Sequence, residues 1–160
     1  MDKQELLAAM RKLGIELNDA GRALFAHEGF TTSEVTTVIE TVEIAVTQLG
    51  LTDGATIAKI VERAHQLALS PCSLELGPYL RLQYLDQPEG HARHPHTQHS
   101  APPGSLTIAS RPIAEDDYVP KGFYLRRING VLWLRGYRSG SDHVWGPEDR
   151  LVFAVGANAA

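Results

Sequence analysis

The sequence FYLRRINGVLWLRGYR, at residues 123–138, holds four arginines and four aromatic residues around a central Asn-Gly dipeptide. Asn129-Gly130 lies between two apolar runs and favours a two-residue type I′ turn, because both of its residues tolerate positive φ. We therefore predict a β-hairpin with strands at residues 123–128 and 131–137. Such a hairpin indicates antiparallel β-structure in the second half of the chain.

Alternation of side chains along the two strands divides the hairpin into two faces. The two-residue turn also sets the register, in which Arg126 opposes Trp133 and Tyr124 opposes Arg135. One face is the more apolar and suits a protein core: Phe123, Leu125, Arg127, Leu132, Leu134 and Arg138. The other, which we call the arginine–aromatic face, interleaves arginines with aromatic rings: Tyr124, Arg126, Ile128, Val131, Trp133, Arg135 and Tyr137.

The arginine–aromatic face has three interpretations. Trp, Tyr and Arg dominate the binding energy of protein interfaces, and the same side chains stack nucleobases and hold phosphates. In the third interpretation, arginine stems only cover the rings and leave their charged heads in water. We expect a small non-catalytic binding protein whose macromolecular partner is a protein first and a nucleic acid second. The expected contact residues are Tyr124, Arg126, Trp133, Arg135 and Tyr137.

Charge is unevenly distributed along the chain. The 160 residues carry a net charge of −4, which gives no general attraction to nucleic acid or to an anionic membrane. Residues 1–70 hold ten acidic and six basic side chains, whereas residues 71–160 hold nine of each. No Asp or Glu occurs between Tyr118 and Ser141, so positive charge is concentrated at the hairpin. We expect a protein partner or self-association, with nucleic acid second and no membrane.

Composition and cysteine content exclude several classes of protein. Hydrophobic residues make up 43% of the chain and charged residues 21%, which is ordinary for a globular protein. The single cysteine, Cys72, excludes an internal disulfide and a cysteine-rich zinc site, and we expect it to be a small buried residue. The sequence has no recognisable secretory signal and no apolar run long enough to span a bilayer. These features predict a cytoplasmic protein.

The first seventy residues have the periodicity of four helices. Asp2 and Asn18 are suited to cap the first two. Residues 31–49 keep apolar side chains at helical spacing, and we predict a third helix there, although many of these residues are β-branched. The fourth helix is expected to begin near Asp53 and to end before Pro71.

After Pro71 the pattern changes to that of β-strands. Besides the hairpin, we predict strands at residues 79–85, 106–109 and 151–155. The chain is thus predicted to be α+β, with an N-terminal helical bundle of about four helices followed by a small antiparallel β-sheet or partly open barrel. Its regions would be residues 1–70 and 71–160, either as two units or as one compact domain.

Residues 86–105 are rich in histidine, proline and glycine. Imidazole is a common ligand of zinc, copper and nickel, and this segment contains His91, His94, His96 and His99. A specific metal site needs ligands held on rigid elements, whereas this segment has few apolar anchors. We therefore expect a mobile loop without a functional metal, and no cofactor.

A function of another class is the alternative. A small enzyme or small-ligand binder would use a pocket between the helices and the sheet, with His143, Tyr79 or Tyr84. Ser141-Asp142-His143 places catalytic residue types side by side, but adjacent residues cannot adopt the geometry of a triad. The sequence therefore assigns no catalytic residue.

Overall fold

The predicted hairpin lies within a large mixed β-sheet. The computed structural model describes residues 1–90, 101–102 and 104–156. The strands of the sheet are β1 (Glu16–Leu17), β2 (Thr41–Ala45), β4 (Leu69–Ser70), β5 (Leu106–Ile108), β6 (Gly122–Ile128), β7 (Val131–Tyr137) and β9 (Arg150–Val155). Their order is β1-β7-β6-β5-β9-β2, and β4 also pairs with β9. Strands β1 and β7, and strands β5 and β9, are parallel, whereas the other pairs are antiparallel.

A second, two-stranded sheet and several helices surround this sheet. The small sheet pairs β3 (Ala55–Thr56) with β8 (Val144–Trp145). The α-helices are α1 (Lys3–Lys12), α2 (Asp19–Ala26), α3 (Ile57–Gln66) and α4 (Leu76–Gln83), and a short 3₁₀ helix covers Val46–Leu49. Within the described parts of the chain, no helix is both long and apolar enough to cross a membrane.

The prediction of an N-terminal helical bundle followed by a small antiparallel sheet is wrong. Strands β1, β2 and β4 all come from the first seventy residues, and they pair with β7 and β9 in the seven-stranded sheet. Helices α2, α3 and α4 pack on strands of that sheet, and α1 packs against α4, because each helix buries an apolar stripe. The division into regions 1–70 and 71–160 stays a prediction, although one sheet contains strands of both.

The third predicted helix is replaced by an extended segment, β2 and the 3₁₀ helix. Its β-branched residues favour extended backbone, and pairing with β9 satisfies that preference, with Val42 opposite Phe153. At the start of this segment, the carboxylate of Glu75 accepts a hydrogen bond from the backbone nitrogen of Ser33 at 2.8 Å.

The strand predicted at residues 79–85 is also wrong, because α4 occupies most of it. Leucines alternate with polar residues there, which imitates the period of a strand. Leu76, Tyr79 and Leu80 have the spacing of a helix face and pack against the first core. Pro78 lies in the first turn, where its missing N–H is not needed. The helix buries Arg81 completely, an outcome that no hydrophobic pattern predicts.

The first two helices and the hairpin are confirmed. The Asp2 side chain accepts a hydrogen bond from Glu5 N at 2.8 Å, and the Glu5 side chain accepts one from Asp2 N. Asn18 caps α2 by accepting from Gly21 N at 2.8 Å. The fourth predicted helix is present as α3, with narrower bounds than expected. The strands predicted at 106–109 and 151–155 correspond to β5 and β9.

The sheet buries a hydrophobic core on each face. Strand β9 shows the two faces most clearly, because alternate residues of its apolar run lie in different cores. The first core, under α1, α2 and α4, includes Leu6, Met10, Leu24, Phe25, Phe30, Leu106, Phe123, Leu125, Leu134, Val152 and Ala154. The second core, under α3, the 3₁₀ helix and the small sheet, includes Val46, Leu49, Ala55, Ile60, Ala64, Trp145, Leu151 and Phe153.

Candidate functional site

The hairpin has the turn and the register that the sequence predicts. Asn129 and Gly130 have φ of 50° and 79°, as a type I′ turn requires. The register is confirmed, since Arg126 lies opposite Trp133 and Tyr124 lies opposite Arg135. The apolar face is also confirmed as the buried one, because three of its members are at most 1% exposed: Phe123, Leu125 and Leu134.

Most of the arginine–aromatic face lies outside both cores. Its side chains are on the sheet face that carries the second core, but that core reaches the hairpin only at its base, where Tyr137 packs against it. The remaining members are half-buried and belong to neither core: Tyr124, Arg126, Ile128, Val131, Trp133 and Arg135. Within the described parts of the chain, neither core covers this platform of two arginines and two aromatic rings, Tyr124, Arg126, Trp133 and Arg135.

Arg135 is held in place by the rings beside it. Its guanidinium carbon lies 5.0 Å from the centroid of the Trp133 ring and 5.9 Å from that of Tyr124. Its Nε donates to the Tyr124 hydroxyl at 2.8 Å. Stacking and one hydrogen bond thus fix the guanidinium plane. The two terminal nitrogens of Arg135 have no hydrogen-bond acceptor among the described residues.

Arg126 lies across the strands from Trp133 and likewise has no acidic partner among the residues that the structure describes. Its Nε is buried and makes no hydrogen bond. The ion pairs among the residues that the structure describes join Arg22 to Asp19, Arg127 to Glu89 and Arg150 to Glu43. Neither Arg126 nor Arg135 takes part in them, so these two cations, at diagonal positions of the hairpin, have no countercharge among the described residues.

Tyr137 differs from the other predicted contact residues. Its ring packs edge-on against Trp145 at a centroid distance of 5.7 Å, and its hydroxyl donates to the Ile108 carbonyl at 3.3 Å. Burial raises the pKa of Tyr137 above its usual range. Gly122 lies opposite and makes room for the ring, because a Cβ there would be 2.7 Å from the hydroxyl oxygen. Tyr137 thus joins the platform to the second core.

A buried polar pair supports the hairpin from its apolar side. Arg81 is fully buried and donates to Gln87 Oε1 at 2.7 Å, to the Trp133 carbonyl at 3.1 Å and to the Tyr84 carbonyl. Gln87 in turn donates to the carbonyl of Leu125 at 3.1 Å. Burial lowers the pKa of Arg81 to about 10. The hydrophobic pattern of the sequence does not predict this pair; its signal in the sequence is a charged residue among the leucines of α4.

The residues of the alternative function lie in separate places. Tyr79 lines a cavity of about 350 Å³ between α4 and residues 33–41. Burial first, and then Glu75 and Glu5, raise the pKa of Tyr79. His143 stacks edge-on against Trp145 at 5.1 Å, and Tyr84 follows α4 and does not line the cavity.

Cys72 is a small buried residue, as expected. It is 2% exposed, and burial raises the pKa of its thiol to about 12, which is the opposite of what a nucleophilic cysteine needs. His91, His94, His96 and His99, in the loop predicted to be mobile at residues 86–105, lie outside the described residues. Among the described residues, no group of three or more His, Cys, Asp or Glu is placed to hold a metal ion.

Comparison of the chain with protein-family models, with curated proteins and with solved structures finds no match in any of the three.

Proposed function

We propose that this chain is a small non-catalytic binding protein whose arginine–aromatic face holds an acidic segment of a protein partner. One observation carries the proposal: Arg126 and Arg135 lie on an open part of the sheet without a carboxylate partner among the described residues. An acidic segment would supply the missing countercharge. Interface anchors are typically Trp, Tyr and Arg at the centre of a contact, and this platform combines all three.

The state of the Trp133 ring favours a protein partner over a nucleic acid. Sequence-tolerant binding of single strands needs free ring faces on which bases stack. Here the guanidinium of Arg135 already lies over the Trp133 ring. The arrangement instead preorganises Arg135 for a carboxylate, because its terminal nitrogens point away from its stem as a planar fork. Nucleic acid is therefore the second candidate partner.

The test compares binding of a fluorescein-labelled octaglutamate peptide with binding of a single-stranded oligonucleotide of equal charge. The variant is Arg126→Ala with Arg135→Ala. A matched control, Arg11→Ala with Arg111→Ala, removes the same charge from two exposed positions elsewhere. We expect the first variant to lose at least about 30-fold in affinity for the peptide, as for central interface anchors, while its melting temperature matches that of the control.

Three results separate the candidates. Equal peptide affinity in the two double variants would refute the proposal. Tighter binding of the oligonucleotide, with a steep loss of affinity as salt is raised, would favour nucleic acid. A large loss of stability in the first variant with unchanged binding would show that the arginines only cover the rings.

Small-ligand binding is the second candidate function, because the cavity beside Tyr79 has the size of a ligand site. A fragment screen followed by backbone amide shifts tests it. Fragments that shift the amide signals of α4 in the natural chain would support this function, provided that they no longer bind when Leu80→Trp fills the cavity.

A further inference from the structure

The tip of the hairpin binds a carboxylate that belongs to the chain itself. Glu89 Oε1 accepts a hydrogen bond from the backbone N–H of Asn129, and Oε2 accepts one from that of Gly130 at 3.1 Å. The same Oε2 lies 3.7 Å from Nε of Arg127. Two backbone N–H groups therefore bind the two oxygens of one planar group, and the Arg127 guanidinium lies beside them as an ion pair without a hydrogen bond from its Nε.

The backbone of the turn explains why these donors are available. In a two-residue type I′ turn, the N–H groups of both central residues point away from the strand ladder. Successive N–H groups in such a conformation form a concavity that binds anions. Because each oxygen of Glu89 takes a different N–H, the geometry fits a carboxylate, which is planar and bidentate.

We propose that the hairpin tip is a carboxylate-binding site for the acidic partner, and that Glu89 occupies it as an internal competitor which the partner displaces. This inference rests on the proposed function, because it identifies a second contact for the same partner. The tip residues Asn129 and Gly130 connect Ile128 to Val131, which are the last pair of the arginine–aromatic face. One extended acidic segment can therefore contact the face and the tip together.

Glu89 can leave the tip without a movement of the backbone. The side chains of Glu89 and Arg127 are 40% and 38% exposed, so water can replace their contact at little cost. The chain on either side is anchored: the side-chain Nε2 of Gln87 donates to the Leu125 carbonyl at 3.1 Å, and Gly90 N donates to the Arg127 carbonyl at 2.8 Å. Rotation of one side chain is enough to vacate the site.

The test measures octaglutamate affinity and the backbone amide signals of Asn129 and Gly130 in the natural chain and three variants. Glu89→Ala empties the tip, and Glu89→Gln removes the charge while keeping one acceptor, in case the empty tip is unstable. Glu28→Ala is the control, because it removes the same charge from another exposed position. We expect the two Glu89 variants to bind the peptide about fivefold more tightly, as loss of a weak competitor predicts.

The amide signals show where the peptide binds. In Glu89→Ala, added octaglutamate should move the signals of Asn129 and Gly130 towards their positions in the natural chain. Affinity equal to that of Glu28→Ala, or unmoved tip amides, would overturn the inference. Adding Arg126→Ala and Arg135→Ala to Glu89→Ala separates the two proposals. If the amide signals of Asn129 and Gly130 still shift and the peptide affinity is unchanged, the arginine–aromatic face is not a contact surface, whereas the carboxylate site at the tip remains supported.

Discussion

Gly136 should not tolerate even one added methyl group, because α2 presses directly on strand β7 there. A Cβ at this position would lie 2.6 Å from the carbonyl carbon of Ala20 and 2.7 Å from the backbone nitrogen of Gly21. Ordinary contacts between heavy atoms are about 3.5–4.0 Å, so α2 would have to move by about 1 Å. Both obstructing groups are backbone atoms and cannot rotate away.

The cost of Gly136→Ala follows from these contacts. Overpacking a well-filled site destabilises by about 1–3 kcal/mol. The shift would also stretch two hydrogen bonds of Asn18, which accepts from Gly136 N at 2.8 Å and donates to its carbonyl at 3.1 Å, at about 1 kcal/mol each. Alanine also lowers the conformational entropy of the unfolded chain, which offsets about 0.4–1 kcal/mol of this loss. The free energy of unfolding should therefore fall by about 2–4 kcal/mol.

Equilibrium unfolding in urea and a thermal melt measure this loss. For a chain of this size, the melting temperature should fall by about 5–15 °C. Gly140→Ala is the control, because the nearest atom to its Cβ, at 2.9 Å, is an oxygen of the exposed Asp142 side chain, which can rotate away. We expect that variant to lose about 0.5 kcal/mol or less. Equal stabilities of the two variants would refute the close approach of α2 to β7.

Two further predictions concern buried groups. The folded chain holds the pKa of Cys72 at about 12 instead of 9. As the pH rises between these values, the unfolded chain loses the thiol proton before the folded chain does. The free energy of unfolding should therefore fall there by up to about 1.4 kcal/mol per pH unit. Cys72→Ala should flatten urea-derived stability against pH in that window, and equal slopes would contradict the burial of the thiol. Gln87→Leu leaves the buried Arg81 guanidinium without its 2.7 Å acceptor and should cost about 2–3 kcal/mol. If the free energy of unfolding lies within about 0.5 kcal/mol of that of the natural chain, as for a surface change, the Arg81–Gln87 hydrogen bond does not stabilise the fold.

The sequence alone determined the local elements whose signals come from neighbouring residues. Asp2 with Glu5 and Asn18 specify helix starts through side chains that reach backbone groups three residues away. Asn129-Gly130 specifies the turn, and the turn fixes the register and the two faces of the hairpin. The contact residues of the proposed site could be named from this alternation, since a strand places every second side chain on one face.

Only the tertiary structure decided which elements come together. Residues 41–45 and 79–85 have patterns that suit both a strand and a helix, and pairing with β9 or packing on the sheet selects between them. The same holds for the site. Nothing local to the hairpin indicates that Glu89 caps its tip or that Arg81 supports it from below, because these contacts span 40 and 52 residues of sequence. Such contacts depend on chain closure in three dimensions, which periodicity does not encode.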